Sequence, residues 1–324
     1  MTYLRTGPTS DSRESALTPR EPALERAPQS AEVRTGDPLF IIGTGRCGSS
    51  VFHDLLAHHP TVTWLSPLIN RYPHRPELNR ALLRLMELLP GADATLRRRY
   101  LPVEAYRFWE RHSRGFTNPY RDLTADDVMP CAQHALRSAV QTCVSGSRPR
   151  LLCKITGWPR MGFLHAVFPN AKFINVIRDG RAVASSSLRV HFWNGWRGPD
   201  NWGWGPLSAD QCERFRAHNC SFVALAALQW EILMDAYETA KRSVPDDRIM
   251  EIRYEDLCAD PVSVVRAACE FAHLEFAPEL QRRIGSFRLR SQNDKWKEGL
   301  SPAQQHTLND CIRGCLSHWG YRAL

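Results

Sequence analysis

The sequence predicts an α/β fold, a single domain with a central, mainly parallel sheet flanked by helices. Three observations carry that expectation. Leu39–Ile42 is a short, continuous apolar run, and Leu151–Ile155 and Phe173–Ile177 are mainly apolar, as strands buried on both faces require. Stretches of helical period lie between them, and parallel strands need such crossovers. The first run also ends in Gly43-Thr44-Gly45-Arg46-Cys47-Gly48, where closely spaced glycines permit a tight strand-to-helix turn.

Taken in order, residues 1–36 are rich in Pro, Ser, Thr, Arg and Glu without apolar periodicity, and they read as a disordered tail. The five arginines of this tail are matched by five carboxylates, which leaves the net charge of +8 to a folded domain over residues 37–324. A strand follows Pro38, a helix runs from Ser49 to His58, and Val62-Thr63-Trp64 is a candidate second strand. Helices are expected near 76–89, 93–112 and 125–144, the last opened by Thr124 as N-cap with Asp127 three residues on. Leu151–Ile155 is the next strand, followed by a helix near 161–167 and a strand over Lys172–Ile177. A helix over 180–189, a long helix over 210–241, a strand over 248–253 and helices near 261–272 and 302–318 complete the chain. Ligands of such sheets sit beyond the carboxyl ends of the strands, so the residues just after each strand are where chemistry is sought.

With 43% hydrophobic and 23% charged residues, the chain can bury a sizeable core, which excludes disorder throughout. Lys+Arg number 42 against 34 Asp+Glu, and only five of those cations are lysines, leaving 37 arginines. Arginine offers a fixed fork of donors to phosphate or sulfate, although a GC-rich coding bias would give the same count. No apolar run approaches the ~18 residues of a membrane span, and the first residues lack the apolar core of a signal peptide, so a cytoplasmic enzyme is expected. The ten cysteines are scattered without a CxxC pair and read as reduced thiols rather than disulfides or zinc ligands; no metal site is expected.

Gly43 to Gly48 matches the glycine half of a P-loop, whose backbone N–H groups and helix N-terminus favour an anion. A nucleotide triphosphatase then needs Lys followed by Ser or Thr, whereas Ser49 and Ser50 stand there and the basic residue, Arg46, lies inside the loop. A nucleotide or small-molecule kinase with a degenerate P-loop is therefore the alternative rather than the leading reading. A nucleic-acid binder, prompted by the positive charge, lacks any recognisable module.

The stretch Gly-x-x-Arg46-Cys47-Gly48-Ser49-Ser50, followed by a helix and His59-Pro60, resembles the 5′-phosphosulfate loop of sulfotransferases that use 3′-phosphoadenosine 5′-phosphosulfate (PAPS). Phe173-Ile174-Asn175-Val176-Ile177-Arg178-Asp179-Gly180-Arg181, with Ser186 eight positions after Arg178, resembles their 3′-phosphate segment. Ile252-Arg253-Tyr254-Glu255-Asp256-Leu257 with Asp260-Pro261, and Lys295-Trp296-Lys297 with a later Trp319-Gly320-Tyr321, resemble two further elements of the superfamily. The four matches stand in order over residues 39–321 and cover nearly all of the expected domain.

The resemblance implies a P-loop-like sulfotransferase fold and transfer of a sulfuryl group from PAPS to an acceptor hydroxyl, with release of PAP and no metal. It places Arg46, Cys47, Gly48, Ser49 and Ser50 on the 5′-phosphosulfate, with Cys47 offering its backbone N–H. Arg178 and Ser186 fall to the 3′-phosphate, Tyr254 to the neighbourhood of the adenine, and Lys295 to a nucleotide phosphate. Lys154 matches the lysine that relatives place beside the bridging oxygen. Glu255 and Asp256 read as structural partners of arginines. Cytosolic small-molecule members carry a basic histidine two positions after that lysine, where this chain has Thr156; tyrosylprotein-type members carry a glutamate after the second strand, where Leu65-Ser66-Pro67-Leu68 stands. His191 is the candidate base in their place, with His74 as a second choice. Residues 191–206 hold four tryptophans between glycines, either an aromatic lid over a small-molecule acceptor such as a lipid, phenol or secondary metabolite, or a staple to the core. The family makes a homodimer possible; no nucleic-acid partner is expected.

Overall fold

The computed structural model describes residues 36–89, 95–96, 98–117 and 120–322, so the expected tail, apart from Gly36, lies outside the described residues. Five strands form one sheet: β1 (Gly36–Gly43), β2 (Val62–Trp64), β3 (Arg150–Thr156), β4 (Lys172–Ile177) and β5 (Ile249–Arg253), in the order β2-β3-β1-β4-β5. Every neighbouring pair is parallel. Because β1 lies between β3 and β4, the chain leaves β1 first towards one edge and later crosses to the other, which opens a crevice at its carboxyl end.

The side-chain period of two divides the core into two layers. Phe40, Ile42, Leu151, Cys153, Ile155 and Phe173 pack into one, and Leu39, Ile41, Leu152, Ile174 and Val176 into the other. Lys154 and Thr156 continue the row of Leu152, opposite Ile41 and Gly43 of β1. A lysine is tolerated there because the strand is ending and its head emerges at the crevice.

The helices are α1 (Ser49–Leu56), α2 (Pro67–Arg71), α3 (Pro76–Leu88), α4 (Tyr106–His112), α5 (Pro130–Cys143), α6 (Met161–Val167), α7 (Gly180–Ser187), α8 (Ala209–Ala217), α9 (Phe222–Lys241), α10 (Tyr254–Ala259), α11 (Pro261–Phe271), α12 (Pro278–Gly285), α13 (Lys295–Gly299), α14 (Pro302–Cys311) and α15 (Arg313–His318). Several expected helices are interrupted. The one expected over 93–112 falls partly outside the described residues, and Tyr100–Ala105 is not helical. Pro102 disfavours the helical conformation of the residue before it, and Ala105 turns left-handed at φ 53°. The one expected over 210–241 breaks at Asn219 and Cys220, both left-handed, before the Ser221 hydroxyl caps α9 by accepting from Ala224 N–H. At the expected start of 125–144 the Thr124–Asp127 capping box holds only a 3₁₀ turn, and Pro130 begins the helix proper. All ten cysteines are free thiols.

Candidate active site

The loop after β1 is shaped by close approaches. Gly48 has φ 93°, and a Cβ there would run into the Tyr254 ring. Arg46 is also left-handed, at φ 56°, a strained conformation for a residue with a side chain. The first turn of α1 has no carboxylate and no side-chain cap, so its N–H groups and dipole face the crevice uncompensated. The Cys47 side chain is fully buried against Gly43, leaving only its backbone to the crevice.

Beside this loop lies a cluster built from three elements. Lys154 Nζ at the end of β3 donates to Ser50 Oγ of α1 at 2.6 Å and pairs with Glu104 Oε1 at 2.8 Å. Thr156 Oγ1, two residues along the same face of β3, donates to the same Glu104 oxygen at 3.0 Å. The break before α4 makes this possible: Glu104 leaves the helical path and turns towards the strand ends. Tyr106, the next but one residue, donates its hydroxyl to the Thr156 carbonyl oxygen at 2.8 Å, and burial beside Glu104 pushes its phenol well above the usual range. Behind Lys154, the His53 ring is buried; desolvation first and the lysine charge second lower it to about 3, so it stays neutral and does not compete for the proton traffic in front.

The segment after β4 closes the other side. Arg178 Nη1 donates to the Arg46 carbonyl oxygen at 2.9 Å, and Arg46 Nε donates to Ser186 Oγ of α7 at 3.0 Å, so the loop and this segment hold each other. The Arg178 guanidinium lies 4.2 Å from the Tyr254 ring centroid. Its Nε donates to Asn293 Oδ1 at 2.8 Å, and Asn293 Nδ2 donates in turn to Glu255. Asp179 pairs with Arg181 at 2.7 Å. Among the described residues Arg178 has no carboxylate partner, only neutral groups that aim it. Arg46, Arg178, Arg189 and Lys295 line one cavity of about 300 Å³ together with Ser186, and no carboxylate lines it. Four cations around one cavity, with no carboxylate among them, favour an anion there.

A second cavity, about 550 Å³, begins at the other face of Arg46 and contains Glu104. Its walls include Tyr106, Trp158, Phe192, Trp193, Trp202 and Trp204. Trp204 lies over Gly157, which has φ 85° and whose missing Cβ would stand 2.9 Å from the indole. Trp193 is fixed by donating to Gln229 Oε1 at 2.7 Å, and Trp202 by donating to the Gly205 carbonyl oxygen at 2.8 Å. The tryptophan segment is thus pinned to the core through Trp193 and Trp202, and it also walls a cavity.

Of the residues expected at the site, Arg46, Arg178, Ser186 and Lys295 line the smaller cavity, Lys154 bonds to Ser50, Tyr254 lies against Arg178 and Gly48, and Ser49 is buried in the first turn of α1. The structure does not bring in His191, which is exposed, packs edge-on against Phe192 and lines neither cavity. His74 is exposed in the turn between α2 and α3. The titratable residue beside Lys154 is Glu104, which sequence reading passed over by placing it inside a helix; Pro102, two residues before it, was the available signal. Among the described residues no group of three His, Cys, Asp or Glu could hold a metal ion, and no helix is long and apolar enough to cross a membrane.

Comparison with known proteins bears on the family and the fold. The model of the sulfotransferase family matches residues 38–278. Among solved structures, the sulfotransferase STF9 from Mycobacterium avium superposes with a TM-score of 0.54 at 19% identity, over 89% of this chain and 78% of that one. Mouse sulfotransferase SULT7A1, solved in complex with PAP, gives a TM-score of 0.42 at 12% identity, over 89% of this chain and 90% of that one. No curated protein sequence matches the chain.

Proposed function

The chain belongs to the sulfotransferase family, and on that premise we propose that it transfers a sulfuryl group from PAPS to a hydroxyl of a small, largely apolar acceptor and releases PAP. One observation carries the reading: the cation-lined cavity and the aromatic cavity share Arg46, and Glu104 in the wall of the aromatic cavity pairs with Lys154. The first suits a doubly phosphorylated nucleoside, the second a molecule that offers a hydroxyl to a carboxylate.

The residues then have distinct tasks. The loop N–H groups, Ser49, Ser50 and Arg46 hold the 5′-phosphosulfate, while Arg178, Ser186 and Lys295 hold the 3′-phosphate. Tyr254 lies under Arg178 and against the loop, where it sets the depth of the donor. Glu104 takes the proton of the acceptor hydroxyl as its oxygen forms a bond to sulfur and the bond from sulfur to the phosphate oxygen breaks. Lys154 is bound to Glu104 before the reaction; once the carboxylate is protonated, its charge is released to the departing phosphate oxygen. Thr156, at the position where cytosolic relatives carry a histidine, instead positions the glutamate that replaces it.

Two measurements test this. PAP is expected to raise the melting temperature far more than ADP at equal concentration, because only PAP carries the 3′-phosphate; equal shifts would contradict the donor assignment. Glu104→Gln is expected to lower kcat by about 10²- to 10⁴-fold with PAP binding retained. Undiminished turnover in that variant would remove the base assignment.

A further inference from the structure

Arg189 is the one cation of the donor cavity that no motif marked. It follows Ser186 by three residues, so it projects from the same side of the chain just past the end of α7. Its Nη2 donates to Ser185 Oγ at 3.0 Å and to the Lys295 carbonyl oxygen at 3.2 Å. Both acceptors are neutral, and among the described residues it has no carboxylate partner. An exposed arginine held by neutral groups keeps its charge and the rest of its fork for something else. The guanidinium rests against the bare Cα of Gly299 at the end of α13, and a Cβ at that position would occupy the place of Nη2. Gly299 is in an ordinary backbone conformation, so no turn demands a glycine there, and a side chain at that position would make the Arg189 guanidinium move.

We propose that Arg189 is a specificity-determining residue of the donor cavity: with Arg178, Ser186 and Lys295 it binds the 3′-phosphate of the sulfonucleotide, and Gly299 leaves room for the guanidinium in the position seen. The proposal rests on the reading of this cavity as the 3′-phosphate site. It also gives α13 a task, since the Lys295 carbonyl and Gly299 form the seat on which Arg189 is set. The arginine therefore links α7 to the C-terminal segment across the nucleotide.

The test uses calorimetric titration of the full chain with PAP and with AMP, which differ only in the 3′-phosphate. The unmodified protein is expected to bind PAP far more tightly than AMP. Arg189→Ala should reduce that preference by about 10- to 100-fold, the loss of a charge-assisted hydrogen bond to an anion, while AMP affinity moves less than about twofold. Arg189→Lys should recover part of it. Gly299→Ala, which alters no charge and lies on another element, should reduce the preference in the same direction by displacing the guanidinium. A preference unchanged in Arg189→Ala or in Gly299→Ala, or PAP and AMP weakened alike, overturns the proposal. No preference for PAP in the unmodified protein overturns the donor reading itself, so the two failures are told apart.

Discussion

At the scale of single residues, the account turns on what Lys154 touches. It is 8% exposed, at the end of an otherwise apolar strand, and its charge is met by Glu104 and Ser50. Lys154→Ala is expected to abolish sulfate transfer while PAP still binds, as shown by single-turnover rates beside PAP titration; turnover near that of the unmodified protein would contradict its role. Lys154 near the end of β3, Arg178 just after β4 and Ser186 on α7 were reached in the sequence through the motifs that resemble those of sulfotransferases. Glu104 was not, because its position depends on the non-helical stretch from Leu101 to Ala105, which helical periodicity hides. A second carboxylate shows the effect of burial directly. Asp122 accepts from the Arg160 backbone N–H at 2.7 Å, and desolvation, only partly offset by that bond and the Arg160 charge, raises it from 3.8 to about 6. The folded state therefore binds this proton more tightly than the unfolded chain. Between about pH 4 and pH 6 that contribution to stability falls as pH rises, and above pH 6 it is flat. Asp122→Asn should remove the contribution: the melting temperature of the variant minus that of the unmodified protein should increase between those pH values, and a constant difference would show that Asp122 titrates normally.

At the scale of elements, β1, β3 and β4 were legible because each is built on a mainly apolar run, and the alternation of strands with helices implied the parallel order. Long helices were overdrawn, since breaks at Asn219 and Cys220 and at Ile312 are made by one or two backbone conformations that composition does not announce. The short helices α10, α12 and α13 hold too few residues to show a period. The exit of β3 matters most for function. Thr156 holds Glu104, and Gly157, the next residue, lets Trp204 lie against the strand end. Gly157→Ala would place a side chain at φ 85° and push on that indole, with a backbone cost of about 1–2 kcal/mol. The expected result is a lower melting temperature and a raised KM for the acceptor with unchanged PAP affinity. If KM for the acceptor stays fixed, Trp204 is only a staple.

For the whole molecule, strand order matters more than charge. The net charge of +8 and the 37 arginines did not locate the site; several of those arginines are consumed in structural contacts, such as Arg160 over the Phe116 ring and Arg214 with Glu231. The order β2-β3-β1-β4-β5 is what brings residues from positions 46, 104, 154, 178 and 295 to one crevice. The motifs lead to the crevice but not to Glu104, the proposed base, because that residue belongs to no strand end. The account predicts one coupled event there. Purified protein incubated with labelled PAPS and a panel of apolar alcohols and phenols, followed by mass spectrometry, should yield a sulfated acceptor with one PAP formed per sulfate. Both products should be lost in Lys154→Ala and reduced in Glu104→Gln. Sulfated product at an undiminished rate in both variants, or consumption of ATP instead of PAPS by the unmodified protein, would contradict the account.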